Sequence, residues 1–199
     1  MATQRRLGAE SSRTRALLVE AAELLVQEEG YVAVSARRVA SRADLKPQLV
    51  HYYFRTMDEL LLAVFDRFAQ RFLDRQAQAL ASARPLTALW DLYTDTFVAV
   101  IVIEFFALAN HRAAVRDKIA GATEQFRIGQ IAELDRAMRR VGIDVVAYPP
   151  SAIVMLMMTI STTMKMESNL DIEHGHAELV ALVKRQIDEV EASVGKGRH

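Results

Sequence analysis

The segment from Val34 to Leu60 constrains the fold most, because three helix-boundary signals lie within a few turns of one another. Ser35 is a favourable N-cap for a short helix that ends at Arg42. Pro47 suits the first turn of the next helix, where the N–H that proline lacks would have no partner anyway. Thr56-Met-Asp-Glu59 is a capping box, in which the threonine and glutamate side chains satisfy free backbone N–H groups. Boundary signals at such short intervals predict short helices.

A tight turn between two of these helices predicts a helix-turn-helix unit. A preceding helix, Thr14 to Glu29, carries an apolar stripe and stops at Gly30. Ala43-Asp44-Leu45 forms the turn, and Asp44 occupies the position that most needs a left-handed backbone, which aspartate tolerates. Three helices with this spacing make a helix-turn-helix. The apolar residues that should close its small core are Leu18, Leu25, Val39, Ala40, Leu45, Val50 and Phe54.

The helix that follows the turn carries amide and ring side chains that a small core cannot all absorb. If its apolar side faces the core, the residues pushed outward are Gln48, Leu49, His51 and Tyr52. Such groups beside basic residues offer donors to phosphates and base edges, and apolar surface to thymine methyl groups. Residues 1–57 hold nine Lys or Arg and six Asp or Glu, against sixteen and nineteen in residues 58–199. The pattern favours a DNA partner at this end; the alternative is that the rings only pad a helical core.

The rest of the chain is also predicted to be helical. No Gly or Pro interrupts Thr56 to Ser82, and an apolar helical period then continues from Pro85 to a helix end at Asn110 or His111. Val98 to Ile103 would favour a strand by propensity, but the helical period on both sides outweighs it. Gly142 should end a helix. The remaining predicted helices are Arg112–Ala120, Ala122–Val141, Pro150–Glu167 and Ile172–Ser193. The expected fold class is all-α, with about nine helices.

Composition limits the chemistry and the compartment. The 199 residues include no cysteine, so disulfides and thiolate chemistry are excluded. The N-terminus lacks an apolar signal-peptide region, and the longest apolar run, Phe97 to Ile103, is far shorter than a membrane span requires. We therefore expect a cytoplasmic protein with no membrane partner. No nucleophile-and-base signature or phosphate loop is present, so neither an enzyme nor a cofactor is predicted.

The motifs of the first third of the chain resemble those of the TetR family of bacterial transcriptional regulators. The matching elements are Leu17-Leu18-x-x-Ala21-Ala22, Gly30-Tyr31, Ser35-x-Arg37-x-Val39-Ala40, Ala43-Asp44-Leu45, and His51-Tyr52-Tyr53-Phe54-x-x-Met57-Asp58-Glu59-Leu60. The resemblance implies an N-terminal arm and helix-turn-helix domain over residues 1–57. It also implies a helical ligand-binding and dimerisation domain over residues 58–194. The glycine-containing residues 195–199 that follow are expected to be a flexible tail.

The resemblance assigns DNA contacts to one set of residues: Ser35, Arg37, Lys46, Pro47, Gln48, Leu49, His51, Tyr52 and Tyr53. Ser35 would bind a phosphate, Arg37 would read a guanine, and the tyrosines would hold the flanking backbone. Three positions depart from the family pattern: Asp44 replaces a glycine in the turn, Met57 replaces a phosphate-binding lysine, and His51 replaces a tyrosine. Arg5, Arg6 and Arg13 form either an arm on the DNA or a solvated tail.

The same resemblance implies a homodimer, because such units read palindromes in pairs. The segment Ile153 to Ile160 is apolar all round and the last helix has one apolar stripe. Together they predict an interface of Ile153, Leu156, Ile160, Leu179, Leu182, Val183, Gln186, Ile187 and Val190. The alternative is a purely intramolecular core.

The central helices contain the ingredients of a pocket for a small apolar or aromatic effector. The candidate lining residues are Trp90, Tyr93, Phe97, Phe105, Phe126, Met155, Met158, Thr159 and Thr162. The alternative is that these residues are ordinary core. Glu104 interrupts an apolar run, and we expect it to pair with Arg112 or Arg127 rather than to bind a ligand or reach solvent. Glu173-His174-Gly-His176 resembles a metal chelate but lacks a fourth ligand, so a solvated helix cap is favoured.

The preferred hypothesis is a dimeric DNA-binding repressor that a small-molecule effector releases from a palindromic operator. The alternative is a helical ligand-binding or enzymatic protein whose N-terminal helices serve protein interaction. The second hypothesis requires a catalytic constellation, which the sequence lacks, and leaves Arg37, Lys46 and Gln48 unexplained.

Overall fold

The computed structural model describes the backbone of residues 2–196 and the side chains of residues 12–113 and 115–193. Over this range the chain is all-α, as predicted, with nine α-helices, one 3-10 helix and no strand. The elements are α1 Ala2–Glu29, the 3-10 helix Tyr31–Ala33, α2 Ala36–Arg42, α3 Pro47–Tyr53, α4 Met57–Leu80, α5 Pro85–Tyr93, α6 Thr96–His111, α7 Ala113–Val141, α8 Pro150–Ser168 and α9 His176–Lys196.

The helices form two compact units. The first comprises Met1–Ala69 and Glu104–Ile119, and the second comprises Gln70–Ile103 and Ala120–His199. Because compactness and sequence pattern are different criteria, the domain boundary at residue 57 stays a prediction.

The first unit has the small core that the sequence predicted. Val39, Ala40 and Val50 are fully buried, and Phe54 is nearly so. They pack with Leu18 and Leu25 of α1, which are buried as well, whereas the predicted core residue Leu45 is only half-buried. A core this small leaves the opposite sides of α2 and α3 at the surface.

In the second unit, a carboxylate on α9 caps the start of α5. Glu191 of α9 accepts hydrogen bonds from the backbone N–H groups of Leu86 (2.8 Å) and Thr87 (3.2 Å) in the first turn of α5. Its second oxygen accepts from the Thr87 hydroxyl at 2.7 Å and from Arg84 at 2.9 Å. These free N–H groups at a helix start favour a negative charge, so Glu191 fixes α9 against α5.

The prediction of one long helix from Pro85 to Asn110 or His111 is wrong at one point, although α6 does end at His111. The chain bends by 59° between α5 and α6. The Thr94 hydroxyl donates to the Trp90 carbonyl at 2.9 Å and closes α5, and the Asp95 side chain accepts from the Phe97 N–H at 3.0 Å. The apolar period continues through this break, so the period alone could not reveal the caps. The helical assignment of Val98 to Ile103 is confirmed.

The break predicted near Gly121 is also wrong, because α7 runs without interruption from Ala113 to Val141. A glycine in a helix costs only about 1 kcal/mol relative to alanine, and buried residues before and after Gly121 outweigh that cost. Gly142, with φ of 88°, ends the helix as predicted. The structure has a break between α5 and α6 that was not predicted and lacks the break predicted near Gly121. The number of helices in the described chain therefore still agrees with the prediction.

Across residues 2–196, no single helix is both long and apolar enough to cross a membrane; only the bent pair α5–α6 meets those two criteria, as a broken span.

Candidate nucleic-acid interface

The turn between α2 and α3 has the geometry that the sequence predicted. Asp44 adopts φ of 54°, in the left-handed region. The Leu45 N–H then reaches back to the Ala40 carbonyl at 2.8 Å and closes the turn. Pro47 stands at the start of α3. Val50 and Phe54, both buried, anchor α3 on the core and so determine which of its sides faces solvent.

The predicted DNA-binding residues form one accessible surface on α2, the turn and α3. The exposed members are Ser35, Arg37, Lys46, Pro47, Gln48, His51 and Tyr52, and the half-buried ones are Leu49 and Tyr53. Tyr52 is 76% exposed, so its ring and hydroxyl are available to a partner. The rings of this short helix therefore lie on two sides: Phe54 is buried in the core, and His51 and Tyr52 are exposed.

Two of the three arginines of α2 form ion pairs with α1, and the third does not. Arg42 pairs with Glu28 at 2.5 Å, and Arg38 pairs with Glu29, whose pKa is lowered mainly by the hydrogen bond from Arg38. Both arginines therefore tie α2 to α1. Within the described part of the chain, Arg37 makes neither an ion pair nor a hydrogen bond, and its guanidinium remains available for a bidentate contact to guanine.

Two N-caps supply groups suited to phosphate. The Ser35 oxygen accepts from the Arg38 N–H at 3.5 Å, which leaves its hydroxyl proton free to donate. At the start of α4 the Glu59 N–H donates to the Thr56 hydroxyl at 3.1 Å, and Glu59 accepts from the Arg55 N–H at 2.7 Å. The capping box is confirmed, although the glutamate bonds one residue earlier than the usual pattern.

The predicted N-terminal arm is part of α1, which begins at Ala2. The Arg13 side chain is exposed on that helix, while those of Arg5 and Arg6 lie outside the described residues. Arg15 is placed with its guanidinium 4.9 Å from the centre of the Phe54 ring, and this cation–π contact joins α1 to the end of α3.

The predicted dimer residues line a single open groove of about 340 Å³ in the second unit. Eight of the nine contribute to it: Ile153, Leu156, Ile160, Leu182, Val183, Gln186, Ile187 and Val190. The ninth, Leu179, is half-buried elsewhere on α9. Leu156 and Leu182 are 60% and 46% exposed, so α8 and α9 present an apolar surface that their own unit does not cover.

The predicted effector residues are only partly brought together. Tyr93 and Phe126 both contact Phe72, with ring centres 5.4 Å and 5.3 Å apart. Phe97 stacks under Arg71, and Trp90 lines the α8–α9 groove. The remaining candidates on α8 are Met155 and Thr159, which are exposed, Met158, which is half-buried, and Thr162, whose hydroxyl donates to the Met158 carbonyl at 2.8 Å.

Phe105 lies apart from the rest of that set. It is fully buried against Phe65 in the first unit, with ring centres 5.2 Å apart. Its helical spacing matched the aromatic stripe, but spacing does not show that α6 passes from the second unit into the first between Ile103 and Glu104. Two buried residues that the sequence reasoning missed are Gln130, which donates to the Tyr93 hydroxyl, and Gln76, which donates to the Gln130 carbonyl.

The ion pair expected for Glu104 is wrong. Its carboxylate accepts a hydrogen bond of 2.7 Å from the backbone N–H of Tyr31. Arg112 pairs instead with Asp58, and Arg127 lies beside the Met158 sulfur at 3.9 Å. Glu104 therefore holds the chain where α1 passes into the 3-10 helix.

The histidine pair before α9 does not assemble a metal site among the residues that the structure describes. The Nε2 atom of His176 lies 2.7 Å from Glu167, and Gly175 adopts φ of 90°. The segment thus acts as a turn that joins the end of α8 to the start of α9.

Comparison with known sequences identifies the same segment. Residues 18–64 match the family model described as bacterial regulatory proteins, tetR family. An uncharacterized HTH-type transcriptional regulator from the dhlA 5' region of Xanthobacter autotrophicus is 39% identical over 69 residues. That match covers 35% of this chain and 34% of the relative, so it spans about a third of each protein.

Solved structures extend the similarity of fold to most of the chain. A TetR transcription regulator from Haloarcula marismortui aligns with a TM-score of 0.66 at 19% identity, over 92% of this chain and 98% of that protein. A transcriptional regulator from Rhodococcus sp. Rha1 gives 0.65 at 17% identity, over 92% and 96%. NalD, the secondary repressor of the MexAB-OprM multidrug efflux pump in Pseudomonas aeruginosa, gives 0.52 at 18% identity, over 89% and 96%.

Proposed function

We propose that the chain is a TetR-family regulator, because residues 18–64 match that family's model, and that it represses transcription as a homodimer on a palindromic operator. One observation carries the proposal. Arg37, Gln48 and His51 are exposed on two short helices whose opposite sides are fixed in a core. Free donors on rigid helices are what base recognition requires.

The proposed mechanism is a shift of population between two dimer conformations. In one, the two α3 helices lie about 34–36 Å apart and enter successive major grooves. A small molecule bound in the second unit would favour the other conformation, in which this spacing no longer matches DNA. The apolar groove on α8 and α9 supports a second copy of the chain as the dimer partner. The buried aromatic residues of the second unit support a small aromatic or hydrophobic effector.

Selection from a pool of random duplexes tests the DNA-binding proposal. The full chain is expected to enrich a palindrome with half-sites about one helical turn apart. Native mass spectrometry should then find an even number of chains on each enriched duplex. The affinity should fall steeply with salt, because Lys and Arg displace counterions from the phosphates. Failure to enrich any sequence, with binding equal on all duplexes, would contradict the proposal.

Leu156→Glu is expected to weaken the dimer at least tenfold, because a carboxylate would be buried in an apolar interface without a partner. Sedimentation velocity across a concentration series measures this change, and operator binding should weaken in parallel. Leu170→Glu is the matched control, since Leu170 is 71% exposed and does not line the groove. An unchanged dimer in Leu156→Glu would exclude the groove as the interface.

A further inference from the structure

Three polar side chains are buried together in the second unit, on three different helices. Gln76 of α4 is 1% exposed, Tyr93 of α5 is 3% exposed and Gln130 of α7 is 4% exposed. The Gln76 Nε2 donates to the Gln130 carbonyl at 3.2 Å, and the Gln130 Nε2 donates to the Tyr93 hydroxyl at 2.9 Å. The three residues therefore form one hydrogen-bonded chain.

The direction of these bonds leaves one strong acceptor unused. The Gln76 amide must present its nitrogen to the Gln130 carbonyl, since two oxygens facing each other would repel. Its Oε1 atom is then buried with no hydrogen-bond partner among the described residues. An unpaired buried acceptor is costly, and an apolar side chain of the same size would avoid that cost. A glutamine here is difficult to explain as packing alone.

The Tyr93 hydroxyl supplies a donor in the same cluster. Burial raises the pKa of Tyr93 well above its ordinary value, so the phenol keeps its proton near neutral pH. Its oxygen accepts from Gln130 and its proton remains to be donated. A ligand hydroxyl, which can both donate and accept, complements an unpaired acceptor and a phenolic donor.

The surroundings of the cluster are aromatic, with one further unpaired hydroxyl. Phe72 lies one turn before Gln76 on α4 and touches both Tyr93 and Phe126. Thr123, Phe126 and Gln130 recur at a spacing of three and four residues, so they share one face of α7. The Thr123 hydroxyl on that face is buried and also lacks a partner within the described range.

A nearby cation limits the charge of a bound molecule. Arg127, on the next position of α7, is close enough to Tyr93 to oppose the rise of the tyrosine pKa. Its guanidinium lies 3.9 Å from the Met158 sulfur and forms no ion pair with a carboxylate among the residues described. An ammonium group in this cluster would therefore be repelled, whereas a neutral or anionic compound would not.

We propose that Gln76 and Tyr93 form the polar centre of an effector site for hydroxyl-bearing aromatic compounds that are neutral or anionic. This inference rests on the proposed function, because it specifies what the second unit of the regulator recognises. The ligand hydroxyl donates to the Gln76 Oε1 and accepts from the Tyr93 hydroxyl, while its ring lies among Phe72, Tyr93 and Phe126. Phe72, Gln76 and Gln130 were not among the residues that the sequence marked for ligand binding.

Isothermal titration of the full chain with three compounds of similar size tests the site. 4-Ethylphenol is expected to bind at least tenfold more tightly than ethylbenzene, which lacks the hydroxyl, and 4-methylbenzylamine, a cation, should not bind. Gln76→Met should remove the tenfold difference, because methionine fills the space without the Oε1 acceptor. Gln78→Met is the matched control, since Gln78 is exposed on the same helix. Equal binding of 4-ethylphenol and ethylbenzene would overturn the proposal.

Two further measurements keep the test decisive. If Gln76→Met does not fold, Tyr93→Phe replaces it. This variant removes the phenolic donor of the proposed site with little change of shape, and it should lower the affinity for 4-ethylphenol by at least threefold. No change in that affinity would count against the site. Release of the selected operator duplex is measured separately. If 4-ethylphenol binds but the duplex is not released, the ligand site is supported and the control of DNA binding by an effector is refuted. Intact operator binding with no phenol binding would refute the site alone.

Discussion

Arg37→Ala is expected to weaken binding to the selected operator roughly 5- to 150-fold, and to weaken binding to random duplex far less. The range follows from the ~1–3 kcal/mol that a bidentate contact to a base contributes. Arg37 has this capacity because no described carboxylate engages it, and because α2 is fixed by a buried core. Fluorescence anisotropy with the operator and with a scrambled duplex of equal length measures both affinities.

Arg38→Ala is the matched control, because Arg38 is the next residue on the same helix but pairs with Glu29. This variant should change both affinities alike and only slightly, since its loss is an exposed ion pair. If Arg37→Ala and Arg38→Ala reduced operator binding equally, Arg37 would be a general cation and not a base-reading residue.

The helix-turn-helix unit was predictable because its signals are local. The left-handed Asp44, the proline at the start of α3 and the capping box at Thr56 each depend on a few adjacent residues, and each is present in the structure. The burial of Val50 and Phe54 then follows from helical periodicity. The same periodicity missed the break between α5 and α6, where Thr94 and Asp95 form caps although the apolar helical spacing continues on both sides.

Long-range polar contacts were not predictable, because sequence spacing does not identify their partners. Glu104 meets a backbone N–H that is 73 residues away, whereas the expected partners were arginines closer in sequence. The buried amides were missed for a related reason: glutamine is usually exposed. One signal was available, since Phe68, Phe72 and Gln76 recur at four-residue intervals on a single face of α4.

The Glu104 carboxylate lies close to Gly30, and this approach depends on both residues. Gly30 adopts φ of 81° and ψ of 166°, a conformation available almost only to glycine. A Cβ atom at this position would lie 2.9 Å from the Glu104 Oε2. The same oxygen accepts the hydrogen bond from Tyr31 N–H. The absence of a side chain at Gly30 thus provides the space in which the Glu104 carboxylate can reach the backbone.

Gly30→Ala is therefore expected to lower the free energy of unfolding by about 2–4 kcal/mol. Backbone strain contributes roughly 1–3 kcal/mol, and displacement of the carboxylate adds the loss of a charged hydrogen bond, worth about 1.5–3 kcal/mol before partial exposure reduces it. Urea denaturation of the full chain measures the change. Gly121→Ala is the matched control, because its Cβ would meet nothing within 4 Å in a helix; it should raise stability by about 0.5–1 kcal/mol.

A double-mutant cycle with Glu104→Ala separates the two contributions. Glu104→Ala alone should lower the free energy of unfolding by about 1–3 kcal/mol, because it leaves the Tyr31 N–H without its acceptor. Glu104→Gln keeps an acceptor, so its free energy of unfolding should be closer to that of the original chain. In a chain that already carries Glu104→Ala, the substitution Gly30→Ala displaces no carboxylate. Its only remaining cost in stability is the backbone strain at residue 30. The cost of the double variant should thus fall short of the summed single costs by at least ~0.5 kcal/mol. Strict additivity would mean that Gly30 and Glu104 act independently, and that the close approach of the carboxylate contributes nothing to the position of the 3-10 helix that leads into α2.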